Sequence, residues 1–286
     1  MSRIFEALQK SSAGKASGFS DFASALQLEP QQTVETVAEP QSAGELDQFP
    51  SLHVALAGDS RLFCLTQRDS LGAEKFRFLG VRLRQLQQSQ ALKRILVTST
   101  IPEEGKSTIS GNLATTLARK RQQKVLLIDG DLRRPSLNRL LGLHHLRGLS
   151  EWLQGDATAA EPIYRLEEPG FWFMPAGSPP ENPLDLMHLT RYATLMERLS
   201  GWFDWIVIDT PPVLPLADTS VWAKSADGIL LVTREGTTRK RELQRGLAAL
   251  DATKLLGVVI NSTHNTEHDN YYQHYGAAAK SSRSER

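Results

Sequence analysis

Short apolar runs and amphipathic stretches alternate along most of the chain. The runs "RILVTS", "KVLLID", "FWFMPAG", "DWIVIDT", "GILLVT" and "LLGVVIN" read as strands. Several are apolar at consecutive positions rather than at every second one, the pattern of strands covered on both faces. The stretches between them predict helices from Ser107 to about Lys120, after Pro135, from about Pro183 to Leu199, near Ala217 and from about Thr238 to Asp251. This alternation predicts an α/β fold with a mostly parallel, doubly wound sheet. Upstream, "RLFCL" reads as a short strand. Ala73 to Gln88 reads as a helix with Phe76, Leu79 and Leu83 on one face and Arg77, Arg82 and Arg84 available to other groups. There is no internal repeat.

The two ends depart from this pattern. Residues 1–50 open with a short amphipathic stretch, Ile4, Phe5 and Leu8, and continue rich in Ser, Ala, Gly, Gln, Glu and Pro. Such a segment buries too little apolar surface to order itself; it is either a disordered leader with a frayed helix or a docking helix on a tether. Residues 51–261 carry the folded domain. Residues 262–286 lose all periodicity and read as a flexible tail. Three of the five tyrosines, Tyr271, Tyr272 and Tyr275, fall in that tail.

Composition narrows the function class. With 286 residues, 40% hydrophobic and 23% charged, the chain suits one globular domain with flexible ends. A formal net charge of +1 gives no broad attraction to nucleic acid or acidic lipid, so no nucleic-acid partner is expected. The single cysteine, Cys64, excludes an intramolecular disulfide and a Cys-based zinc site and fits a reducing, cytoplasmic setting. No apolar run reaches the roughly 20 residues of a membrane span, and "MSRIFEALQK" lacks the apolar segment of a signal peptide. In the tail, His264 and His268 have i, i+4 spacing, but without helical periodicity a solvated segment is the better reading than a metal site.

The chemistry concentrates in three stretches. In "TSTIPEEGKST", Thr98 to Thr108, Gly105-Lys106-Ser107 lies between a strand and a helix, the context of a phosphate loop. Backbone N–H groups at the helix start, through Glu104, Gly105 and Thr108, then face the phosphates, Lys106 reaches the β and γ oxygens, and Ser107 ligates Mg²⁺. "VLLIDGDLRRP" delivers Asp129 and Asp131 from a strand end, and "WIVIDTPP" delivers Asp209. Ligands of open α/β sheets bind beyond the carboxyl ends of the strands. Three carboxylates are therefore expected to converge on the loop, where Mg²⁺ makes their repulsion tolerable. Helix or turn caps account for one such aspartate better than for all three.

These motifs, with "EKFRFL" ahead of them and a tyrosine-bearing tail behind, resemble the bacterial tyrosine kinases of capsule and exopolysaccharide synthesis, in the MinD/ParA-like branch of P-loop ATPases. The likeness covers roughly Ser70 to Tyr275. It implies ATP and Mg²⁺ as cofactors, with Lys106, Asp129 and Asp131 catalytic. Ser107, Asp131 and Asp209 would serve the metal, and Asp129 would help accept the substrate proton. Asn261 looks like the adenine-contacting Asn of the superfamily, or else caps a turn. Tyr271, Tyr272 and Tyr275 would be autophosphorylated on a neighbouring subunit, unless Tyr271 and Tyr272 pack on the sheet edge. The family also implies self-association and a membrane-anchored polysaccharide co-polymerase that recruits the chain to the inner face of the membrane. Arg133, Arg134, Arg239 and Arg241 either line a channel for the tail or brace the sheet edge.

The chain departs from the family pattern at two positions. Glu103 stands where the loop commonly has Gly, placing a negative charge beside the polyphosphate. The ring-forming pattern of Glu and two arginines at three-residue steps is met by Glu74 and Arg77 but broken by Gly80, with Arg82 or Arg84 as substitutes. Two other readings follow: a MinD/ParA-like ATPase switch without tyrosine transfer, disfavoured by Ile101 where those relatives have Lys, and a nucleotide-binding scaffold of a polysaccharide-assembly complex.

Overall fold

The structure, a computed structural model, describes residues 46–56, 60–119, 123–155, 161–187, 190–214 and 218–262. The leader up to residue 45 and the tail beyond Ser262, with its tyrosines and histidines, lie outside the described residues.

Among these residues eight strands form one sheet: β1 (Ser51–Leu52), β2 (Arg94–Ser99), β3 (Val125–Asp129), β4 (Tyr164–Leu166), β5 (Phe171–Met174), β6 (Trp205–Asp209), β7 (Gly228–Arg234) and β8 (Leu255–Asn261). Their order is β1-β4-β5-β3-β6-β2-β7-β8. From β5 to β8 all neighbours are parallel, whereas β4 pairs antiparallel with β5. The helices are α1 (Phe63–Thr66), α2 (Leu71–Ser89), α3 (Lys106–Ala118), α4 (Leu137–Leu140), α5 (Leu149–Gln154), α6 (Pro183–Met187), α7 (Thr190–Trp202), α8 (Asp218–Ser225) and α9 (Lys240–Ala248).

The continuous apolar runs have the expected cause. Val125, Leu127, Trp205 and Val207 pack with Phe76 and Leu83 of α2 and Leu113 and Leu117 of α3. The alternating residues Leu126, Ile128, Ile206 and Ile208 pack with Leu153 of α5, Leu195 and Leu199 of α7 and Trp222 of α8. Each fully buried aliphatic side chain contributes about 1.5–3 kcal/mol, so both layers are needed to hold the sheet. The doubly wound, mostly parallel α/β arrangement is the one the sequence pattern predicts.

Two local expectations change. "RLFCL" forms the single turn α1 rather than a strand, because the Asn112 side chain on α3 accepts the Cys64 N–H at 2.9 Å and donates to the Arg61 carbonyl at 2.9 Å. That tertiary contact overrides local strand preference. The helix expected from about Pro183 to Leu199 is divided between α6 and α7, with 188–189 outside the described residues.

In α2, Ser70 caps the N-terminus by accepting the Ala73 N–H at 3.2 Å. Gly80 is buried against α3, where an added Cβ would meet Thr116 Cγ2 at 3.0 Å. Position 80 thus faces inward. Arg84 also turns inward, donating to the Thr116 and Leu117 carbonyls at 3.2 and 3.3 Å, so it caps α3. Of the two arginines offered as substitutes for a second ring arginine, Arg82 alone is exposed.

Candidate active site

β2 ends at Ser99 and the chain turns through the phosphate loop into α3. Gly105 precedes the helix with φ +91°, and an added Cβ there would lie 2.1 Å from Asn261 Nδ2, so the turn excludes a side chain. The opening N–H groups of α3 have no intrahelical acceptor and carry the positive end of the helix dipole, an anion-binding arrangement.

The two glutamates of the loop behave differently. Glu104 is fully buried; its Oε2 accepts the Thr100 and Ile101 N–H groups at 2.6 and 2.9 Å, and its Oε1 accepts the Thr238 hydroxyl. Its carboxylate braces the loop from within, which leaves only its backbone for a ligand. Glu103 is exposed and adopts φ +66°, a left-handed conformation that favours glycine. Its carboxylate is therefore turned to solvent, and the departure from the family pattern survives as backbone strain.

The carboxylates sit where the strand ends were expected to place them. Asp129 and Asp209 are register partners on β3 and β6, and both are fully buried. Asp129 Oδ2 accepts the Ser136 and Leu137 N–H groups at 3.1 and 3.0 Å, so it also caps α4. Asp131 Oδ2 lies 3.2 Å from Lys106 Nζ. Asp209 Oδ1 accepts the Ser110 hydroxyl at 3.2 Å, and the Ser107 hydroxyl on the same helix turn accepts the Ser136 hydroxyl at 2.8 Å. Burial lowers the proton affinity of the Lys106 amine, but the charges of Asp209 and Asp131 outweigh it and hold the ammonium above the usual lysine range. Burial, then the Asp209 charge, pushes the Asp129 carboxyl well above the carboxylate range. Burial raises Asp209 as well, against Lys106 and the two serine hydroxyls.

Three buried carboxylates thus face one ammonium. Asp209 Oδ2 has no hydrogen-bond partner among the described residues. An orphaned carboxylate oxygen beside the Ser107 hydroxyl, in a net-negative pocket, fits a hard divalent cation. No group of three or more His, Cys, Asp or Glu among the described residues is set to hold a metal alone. That suits Mg²⁺, which takes one or two carboxylates plus waters and phosphate oxygens.

Helix α8 carries site residues that sequence reading missed. Asp218, buried at its start, accepts Arg133 Nε at 2.6 Å and Nη2 at 3.2 Å. Trp222 donates Nε1–H to the Gly130 carbonyl at 3.2 Å, and Thr219 donates to the Pro211 carbonyl at 2.8 Å. The helix therefore fixes the turns after β3 and β6 together, which sets the spacing of their aspartates. The signal was present as Asp218-Thr219 opening an amphipathic segment. Arg133 is a brace for α8. Asn261 bridges two backbones: Nδ2 donates to the Glu104 carbonyl at 2.9 Å, and Oδ1 accepts the Ser262 N–H at 2.9 Å.

Fold and loop together define a P-loop nucleotide-binding domain. The family model of the CobQ/CobB/MinD/ParA nucleotide-binding domain matches residues 95–280. The tyrosine-protein kinase YwqD of Bacillus subtilis (strain 168) is 30% identical over 212 residues, covering 73% of this chain and 89% of YwqD. The chimerical protein CapA2B2 matches with TM-score 0.67 and 30% identity over 76% of this chain and 96% of its own. The kinase domain of the Escherichia coli tyrosine kinase ETK matches with TM-score 0.64 and 29% identity over 71% and 82%. The chain belongs to the CobQ/CobB/MinD/ParA nucleotide-binding family and, within it, to the bacterial tyrosine kinases of capsule and exopolysaccharide synthesis.

Proposed function

We propose that the chain is an ATP- and Mg²⁺-dependent tyrosine autokinase that phosphorylates Tyr271, Tyr272 and Tyr275 of a neighbouring copy, in the control of capsular or exopolysaccharide synthesis and export. The observation that carries this reading is the convergence of Lys106, Ser107 and the three buried aspartates at the N-terminus of α3.

Phosphoryl transfer needs positioning and charge neutralisation more than covalent help. Lys106 moves from Asp131 to the β and γ oxygens, and the N–H groups from Gly105 to Thr108 hold the polyphosphate. Mg²⁺, held through Ser107, Asp131 and Asp209, would neutralise charge on the phosphates. The tyrosine oxygen forms a bond to the γ phosphorus as the β–γ bridging bond breaks. Asp129, whose proton affinity is raised by burial, takes the phenolic proton, and ADP leaves. Asn261, which donates to the Glu104 carbonyl beside the loop, would contact the base.

Self-association presents the tail. The Glu74–Arg77 pair and the exposed Phe78 and Val81 on α2 support that surface. Among the described residues no helix is long and apolar enough to cross a membrane. A membrane-anchored co-polymerase would recruit the cytoplasmic chain to the inner face of the membrane and activate it.

The test is transfer from γ-labelled ATP with Mg²⁺ to the full chain beside Lys106→Met. Alkali-stable label on the wild type, reduced at least a hundredfold by the substitution, is expected. ATP hydrolysis with no protein label would leave an ATPase switch instead.

A further inference from the structure

Strand β8 closes the sheet at one edge, with β7 as its neighbour. Val258 and Ile260 are register partners of Leu231 and Thr233, so their side chains share one face of the sheet. On that face Leu231 packs into the core with Leu243 and Leu247 of α9. The cover is incomplete over β8. Val258 and Ile260 stay 40% and 59% exposed, two of the four large apolar side chains left exposed among the described residues.

Beside them the charge has one sign. Residues 234–245, the turn after β7 and most of α9, hold Arg234, Arg239, Lys240, Arg241 and Arg245 against Glu235 and Glu242. The surplus of this short stretch exceeds the formal net charge of the whole chain, +1. All five cations are exposed, and none is paired with a carboxylate among the described residues. Glu242 is half-buried and turned back on the helix start, where it accepts the Arg239 N–H at 2.9 Å. Gly246 packs against Thr100 of the phosphate loop, where an added Cβ would lie 3.0 Å from Oγ1. Lys240, Arg241 and Gln244, on the other side of the helix, therefore face away from the loop. The exposed face of α9 carries no carboxylate.

We propose that this surface docks on an anionic lipid bilayer, with the five cations on headgroup phosphates and Val258 and Ile260 at the boundary with the acyl chains. The inference rests on the placement at the inner face of the membrane proposed above, and adds a direct lipid contact to recruitment by a partner. Two observations favour lipid over a protein occupant. The exposed apolar area on this face is two aliphatic side chains, far short of the roughly 800 Å² per partner of a stable protein interface. The cations stand on long side chains with no fixed acceptor among the described residues, which suits fluid headgroups better than a rigid acidic surface. Each cation near an anionic bilayer is worth about fivefold in affinity, so five act together where one alone would not hold.

The test is sedimentation of the full chain with phosphatidylcholine vesicles that contain or lack phosphatidylglycerol. Binding to the anionic vesicles alone is expected, falling at least tenfold as salt rises from about 0.1 to about 0.5 M. Lys240→Ala/Arg245→Ala is expected to weaken it about tenfold or more, and Val258→Ser/Ile260→Ser about fivefold. Wild-type ATP affinity in both variants reports an intact fold. Equal binding to neutral vesicles, or anionic binding indifferent to either pair, would overturn the docking surface. If the pairs change the oligomeric state in light scattering and leave vesicle affinity alone, the surface is an interface between copies and the proposal falls. Release by inorganic phosphate but not by chloride of equal ionic strength would mark a free-anion site and overturn it as well. Tyrosine transfer in solution does not need this surface. Absent lipid binding with transfer intact therefore removes the docking surface alone, and lipid binding without transfer removes the kinase reading alone.

Discussion

Glu103 and Glu104 are adjacent and chemically identical, yet the loop uses them in opposite ways. Glu104 is buried with both oxygens occupied, and Glu103 is exposed in a left-handed conformation. From sequence, Glu103 was legible as a misfit beside the polyphosphate, but its backbone angle was not, because φ depends on how the loop closes. The left-handed region costs a non-glycine residue about 1–2 kcal/mol, partly offset by the greater unfolded-state entropy of glycine. Glu103→Gly is therefore expected to raise stability by about 0.5 kcal/mol, visible as an increase in Tm of roughly 1–2 °C. It should also tighten ATP binding, since a negative charge leaves the vicinity of the phosphates. Glu103→Ala should tighten ATP binding without the gain in Tm; an equal rise in Tm for both would remove the strain argument. The sequence leaves Asn261 as either an adenine contact or a turn cap. Its side chain caps the backbone at Ser262 and, unforeseen, also tethers the phosphate loop.

Among the elements, those with long apolar runs were legible, and those held by tertiary contacts were not. The inner strands β2, β3, β6 and β7 announce themselves because each buries both faces. "RLFCL" has the apolar run of a strand but becomes a turn of helix under the grip of Asn112. The hairpin of β4 and β5 went unread, although "EEPG" between "YRL" and "FWFM" is a turn signal. Helix α5 also escaped notice. Its first turn is fastened to the chain after β5 through Glu151, which accepts the Gly148 and Ser178 N–H groups at 2.9 and 2.8 Å. Burial acts to raise the Glu151 carboxyl, but the Ser178 and Gly148 N–H groups outweigh it and hold it down at about 2. A carboxyl lowered on folding stabilises the fold fully above its ordinary value of roughly 4.5 and loses that contribution as pH falls towards about 2. Urea unfolding should therefore show wild type more stable than Glu151→Gln at pH 6, with the gap closing between about pH 5 and pH 2. A gap that stays constant across that range would mean that the ionised carboxylate is not what fastens α5.

At the scale of the whole molecule, the sheet brings β2, β3 and β6 together so that a lysine, two serines and three aspartates from distant parts of the chain meet at one edge of the phosphate loop. The strand order β3-β6-β2 puts the aspartate strands beside the loop strand, and α8 pins the two aspartate turns to each other. The motifs and their strand contexts made this convergence legible. The bracing from α8 was not, since it depends on which helix packs across the strand ends. Peptide mass spectrometry measures tyrosine transfer between copies of this chain directly. The active chain is mixed with a full-length Lys106→Met acceptor distinguished by isotope label, in the presence of ATP and Mg²⁺. Phosphate on Tyr271, Tyr272 or Tyr275 of the labelled acceptor, absent when the donor also carries Lys106→Met, is the predicted result. ATP consumed while the acceptor's tyrosines stay unmodified, with the membrane activator present, would contradict it.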